Sequence, residues 1–284
     1  MKTVQNTNKA ILPVALILLG VVGTAQAEEK QLGVKLDVTY LSSYIFRGCD
    51  IYGEGHSAIQ PSIDIDFYGT GLGLKVLSSR ANGSGFEDLE ELDITLRYGN
   101  NLFEGRTYTT VYEVGWVYYD YPDRASKGPK VQTRPLIPVV ETLADVQEVY
   151  AVFAWPEILG VRGLVPSYIF AHIWPAQSNS NATDNGGWIH ALGLDYGIPI
   201  ALLLPDMPAE QILKLSSLAV YNSGVGATGM VDHDWSHFTF GLSTEFAITD
   251  NLSFTPAIYY QLSMDDSIND DDETWCGLSM TYKF

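Results

Sequence analysis

The chain has 284 residues, 46% hydrophobic and 18% charged, with 16 basic side chains against 34 acidic ones and a formal charge of −18. That acidity gives no electrostatic footing on a phosphate backbone and excludes nucleic acid as a partner. The apolar content, with 6 Trp, 17 Tyr and 11 Phe, argues for a packed fold. No apolar run reaches the 18 or so residues of a membrane helix, and Cys49 and Cys276 are too few for a disulfide scaffold or a structural zinc site.

The first predicted element is an address. Lys2 and Lys9 form a basic start, Ile11 to Val22 an apolar stretch, and Thr24-Ala25-Gln26-Ala27 an A-x-A cleavage site. This is the three-part secretory signal, expected over 1–27, with the barrel domain over 28–284.

From there the chain reads with a period of two. Val34, Leu36, Val38 and Tyr40 alternate with Lys35, Asp37 and Thr39. Ile59, Pro61, Ile63, Ile65 and Phe67 alternate with Ser62, Asp64 and Asp66. The same pattern returns in Phe238, Phe240, Leu242 and Phe246, then from Leu252 to Leu262, then in Cys276, Leu278, Met280, Tyr282 and Phe284. Strand side chains point alternately to opposite faces, so each segment has one apolar and one small or polar face. A soluble sandwich turns the apolar face inward; a transmembrane barrel turns it to lipid and the polar face to a wet lumen. Aromatics near strand ends (Trp116, Trp188, Tyr196, Tyr260, Tyr282), polar faces of Gly, Ser and Thr, and strands near spanning length favour the barrel.

The expected strands are 33–44, 57–68, 72–80, 89–99, 107–119, 146–155, 164–174, 187–198, 212–222, 235–247, 252–263 and 273–284. The fold class is therefore an all-β, transmembrane, antiparallel up-and-down barrel of about twelve strands, ten to fourteen being compatible. Short turns at 68–71, 100–105 and 248–251 alternate with longer polar loops at 45–56, 81–88, 120–145, 175–186, 223–234 and 264–272. This is the outer-membrane arrangement with both termini periplasmic. The Pro199–Gln211 connection departs from it, being both apolar and proline-rich.

Asp37-Val38-Thr39-Tyr40-Leu41-Ser42-Ser43-Tyr44-Ile45-Phe46-Arg47-Gly48 is more specific than periodicity. It resembles the opening of the TorF-like porin family, a strand of the form D-V-x-x-x-S-x-Y-x-F-R-G. Ile63-Asp64-Ile65-Asp66-Phe67 matches the second strand, and Met280-Thr281-Tyr282-Lys283-Phe284 the closing one. The resemblance implies a Gram-negative pore-type outer-membrane protein of largely uncharacterised substrate, and it carries no catalytic residues over to this chain. Met280, Tyr282 and Phe284 are similar to the signal that such barrels offer to the barrel-assembly machinery.

Parity gives a lumen list: Asp37, Asp64, Asp66, Asp93, Glu113, Asp195 and Glu245 among the acids, and Lys35, Lys75, Arg97 and Lys214 among the bases. The acidic excess predicts a mild cation preference, unless the charges pair and plug the lumen. The 120–145 loop is expected to narrow the pore by folding inward.

Acidic clusters at 87–91 and 265–273 lack the spacing of a calcium loop and read as solvated loop, and no cofactor is implied. His233-Asp234-Trp235-Ser236-His237 invites a hydrolase reading, but neighbours on a strand diverge and parity sends Asp234 and Ser236 towards lipid. The function expected is passive diffusion of small solutes or ions across the outer membrane, not catalysis. A lipid hydrolase and a closed structural or adhesion barrel are the alternatives, and the oligomeric state is open.

Overall fold

In a computed structural model, residues 31–53, 55–122, 145–176, 186–200, 211–225 and 233–284 are described. The expected signal peptide 1–27 and most of the 120–145 loop fall outside them. The described residues form twelve long strands: β1 Gly33–Leu41, β2 Ala58–Asp66, β3 Leu72–Ala81, β4 Glu91–Leu102, β5 Thr110–Asp120, β6 Val146–Ala154, β7 Leu164–Pro175, β8 Gly187–Ile200, β9 Gln211–Ser223, β10 His233–Thr244, β11 Leu252–Ser263 and β12 Glu273–Lys283. Each pairs antiparallel with the next, and β1 pairs with β12 from Lys35↔Lys283 to Leu41↔Gly277, closing the sheet into a barrel without edges. Phe246–Ala247 continues β10, and Ile45–Phe46 with Cys49–Asp50 form a small hairpin in the first loop.

The two faces sort as a lipid-facing barrel requires. Leu192 is 55% exposed while its neighbour Ala191 is 1% exposed, and the same contrast recurs along β1, β11 and β12. Trp116, Trp188, Tyr196, Tyr260 and Tyr282 all lie on the outer face, Trp188 and Tyr282 close to strand ends and Trp116 in the middle of β5. The outer rim over β7 and β8 also carries two histidines: His172 stacks 4.0 Å from Trp188, and His190 Nδ1 lies 2.7 Å from the Tyr168 hydroxyl.

Short turns gather at the rim where β1 begins and β12 ends. In the 67–71 turn, Asp66 Oδ1 accepts the Gly69 N–H, and Gly71 has φ +87°. A Cβ on Gly71 would sit 2.2 Å from the Gly99 carbonyl oxygen, so only glycine fits there. The 199–211 anomaly narrows, because β8 continues through Pro199 to Ile200 and β9 starts at Gln211; residues 201–210 lie outside the described residues.

The expected inward fold of the 120–145 loop lies largely outside the described residues; among the described residues it is another loop that turns inward. The first loop, between β1 and β2, folds into the barrel and buries Tyr44 and Tyr52 to 1% exposure. It meets an apolar inner wall on β5 to β9, where Val117, Val152, Ile169, Ala171, Ile189 and Val220 form a buried cluster with Phe46 packed against it. These strands are thus apolar on both faces over their loop-side half, unlike the polar lumen that alternation predicts. The physical reason is the docked loop, whose aromatic side chains need an apolar surface to bury.

Candidate functional site

The candidate site is the barrel interior, and all ten of the strand-borne lumen residues point into it. On the β1–β5 wall, Asp64 is held by Arg97 Nη2 at 2.6 Å and faces Lys35 Nζ at 3.6 Å. Arg97 Nη1 reaches Glu113 at 3.6 Å, and Glu113 accepts the Tyr150 hydroxyl at 2.7 Å. Lys75 lies opposite Asp64 on one side and Thr95 on the other. Asp37 accepts the hydroxyls of Thr39 and Thr281 at 2.7 and 2.6 Å, and Asp66 closes the adjoining turn. Asp93 is buried, and among the described residues its Oδ1 has no hydrogen-bond partner. Across the barrel Lys214 Nζ lies 3.7 Å from Asp195. Glu245 is half-buried in the break between β10 and its continuation.

The first loop supplies the groups that parity could not list. Arg47 forms an ion pair with Glu148, which has no exposed side-chain surface, and Tyr119 donates to the same carboxylate at 3.0 Å. Burial works against the Arg47 charge, but Glu148 outweighs it and holds the guanidinium protonated. Its carbon centre lies 4.7 Å above the Phe46 ring. The Tyr44 hydroxyl donates to Glu91, and burial followed by the Glu91 charge raises that hydroxyl well above its ordinary range. The Gly48 carbonyl accepts from Gln261 Nε2 at 2.8 Å and Asn269 Nδ2 at 3.0 Å. Gly48 has φ +91°, and a Cβ there would lie 2.6 Å from His237 Nδ1. The tip of the loop is therefore pinned to β4, β6, β11 and the loop before β12.

Two earlier readings need correction. The 87–91 cluster is not simply solvated: Glu90 pairs with Arg80 at 2.9 Å, and Glu91 is buried against Tyr44. Ser236 does not face lipid; a register shift between Val220 and Tyr221 makes it a bulge residue and buries it, 2.9 Å from His237 Nδ1. Ser236 also donates to the Val220 carbonyl, and no carboxylate hydrogen-bonds to His237 among the described residues. Cys49 and Cys276 are both free thiols, and no group of three metal-ligating side chains occurs among the described residues. Met280, Tyr282 and Phe284 stand on the outside of the closing end.

A family model described as "Bacterial protein of unknown function (Gcw_chp)" matches residues 25–185. The chain belongs to the Gcw_chp family. No curated protein matches this Gcw_chp member in sequence. Among solved structures it is similar to the KdgM porin at 10% identity, covering 88% of this chain and 99% of that one, with a TM-score of 0.51. The NanC porin gives 8% identity, coverage of 88% and 100%, and a TM-score of 0.49. An outer membrane channel from Pseudomonas putida F1 gives 10% identity, coverage of 99% and 100%, and a TM-score of 0.49. At 10% identity the likeness to the KdgM porin is one of fold alone: this Gcw_chp chain is built as a porin-like barrel.

Proposed function

We propose that the protein is an outer-membrane channel for passive diffusion of small solutes and ions, delivered by a signal peptide at 1–27 and not an enzyme. The observation that carries this reading is the closed twelve-strand barrel with an apolar outer face and a charged ladder along its interior. Twelve strands enclose more space than the side chains of eight-stranded barrels fill, and here a loop takes up the excess. The TorF-like resemblance of 37–48 and the porin-type fold support the same class. Outer-membrane lipid meets the apolar belt, and Met280, Tyr282 and Phe284 serve the assembly machinery.

The acids that line the interior outnumber the bases even with Arg47 included, and Glu91 and Glu148 widen the excess. This supports a mild cation preference. Planar-bilayer recordings of the refolded chain under a salt gradient test it: a reversal potential of cation sign is expected, and one of anion sign overturns the lumen assignment.

The plugged interior favours one second reading, a closed barrel whose loops form the working surface. It predicts a folded, heat-modifiable protein that never conducts. The hydrolase reading has no comparable support, since Ser236 and His237 are buried and, among the described residues, without an orienting carboxylate.

A further inference from the structure

Between the docked first loop and strands β7 to β12 lies a chamber with two unlike walls. Ile169, Ile189, Leu218 and Val220 make one side wholly apolar, whereas His237, Thr239 and Gln261 present polar atoms. Phe46 and Arg47 cover it. With them in place the free space is about 40 Å³, room for one or a few waters.

Gln261 is the informative residue. Its side chain is 1% exposed, and its Nε2 donates to the Gly48 carbonyl and to Ser263 Oγ at 3.2 Å. Because a carbonyl only accepts, this contact fixes which end of the amide is nitrogen. Among the described residues Oε1 is then left buried with no hydrogen-bond partner, an acceptor open to a donor. Among the described residues the only charge lining the chamber is Arg47, and Glu148 neutralises it. A neutral ligand with one apolar face and one donor fits these walls; an ion does not.

Phe46 already shows what such a ligand's apolar part would do. Its ring packs against the buried cluster of β5 to β9, and Arg47 lies over it. We propose that this chamber binds a small neutral amphipathic solute, an apolar or aromatic ring bearing a hydrogen-bond donor, and that Phe46 holds the ring's place until such a solute displaces it. The inference builds on the channel reading and gives it a solute class. Solute entry and loop release become one event, because the solute and Phe46 compete for the same apolar wall.

Cys49 reports on the loop. Its thiol points at the Ile268 carbonyl, 3.5 Å away, and leaves that contact when the loop lifts. In the full chain carrying Cys276→Ser, the rate of Cys49 alkylation by a charged maleimide is measured against phenol, toluene and glycerol at equal millimolar concentrations. Phenol is expected to accelerate labelling saturably. Toluene, lacking the donor, should need about tenfold more for the same effect, the worth of one ordinary hydrogen bond. Glycerol should do nothing. No acceleration by phenol, or equal acceleration by all three, overturns the proposal. Bilayer conductance of the same sample separates the two claims. Conducting pores with Cys49 still protected from phenol sink the chamber and leave the channel. Phenol-dependent labelling in a barrel that never conducts does the reverse.

Discussion

Replacing Arg47 by alanine removes the cation that neutralises Glu148. That carboxylate has no exposed surface; among the described residues its Oε1 already lacks a partner, and after the change only the Tyr119 hydroxyl would hold it. Removing one member of a buried ion pair costs about 3–5 kcal/mol, since the other charge stays desolvated. Arg47 keeps 16% of its side-chain surface, so the lower end applies. About 3 kcal/mol shifts the docked-to-lifted ratio of the first loop by roughly a hundredfold. The assay is Cys49 alkylation in the Cys276→Ser background, whose rate follows the lifted population when loop opening is fast relative to alkylation. Arg47→Ala should accelerate labelling by at least tenfold. A double variant, Arg47→Ala with Glu148→Leu, should label more slowly than the single one, because no charge is left stranded. A single variant that labels within about twofold of the parent would refute the idea that this pair latches the loop.

Further outcomes follow from the packing. Gly115 lies opposite Tyr150, whose ring a Cβ would meet at 2.5 Å, so Gly115→Ala should push the ring off Glu113 and lower stability by about 1–3 kcal/mol, read as a lower urea midpoint of barrel unfolding. Leu192→Arg, on the outer face, should destabilise the barrel in lipid by about 2–4 kcal/mol, whereas Leu192→Phe should leave the same midpoint nearly unchanged. Burial pushes the Cys49 thiol up to about 11, so its alkylation in the folded protein should stay slow through pH 9, where a free cysteine is already thiolate. The sign follows from linkage: a thiol whose folded value is raised favours docking below its free value of about 8.5, and that contribution is lost as pH climbs towards 11.

The strands were legible because their physics is local. Val34 to Tyr40, Leu252 to Leu262 and Cys276 to Phe284 each declare two faces by alternation, and the twelve expected spans lie within a few residues of the observed ones. The interior was legible where alternation holds, as at Asp64, Lys75 and Arg97. It failed where both faces are apolar, so Glu148 went unlisted among Val146, Val149 and Val152. Glu91 falls in the solvated acidic cluster by composition, although it lies within the expected strand 89–99 and continues the parity of Asp93. The largest omission was the first loop, and its signal was present: Tyr44, Ile45, Phe46, Ile51 and Tyr52 are too apolar for a solvated connection. The same stretch, Tyr44-Ile45-Phe46-Arg47-Gly48, carries the family resemblance, and the structure gives that motif a physical task. Tyr44, Phe46, Arg47 and Gly48 are the residues that seat the plug.

The central claim is that the barrel conducts once this loop lifts. Single-channel recording of the refolded parent and of Arg47→Ala, in planar bilayers under a potassium chloride gradient, tests it most directly. The account predicts stepwise openings in both, with a much higher open probability in the variant and a reversal potential of cation sign. Two heat-modifiable, fully folded barrels that never open would contradict it.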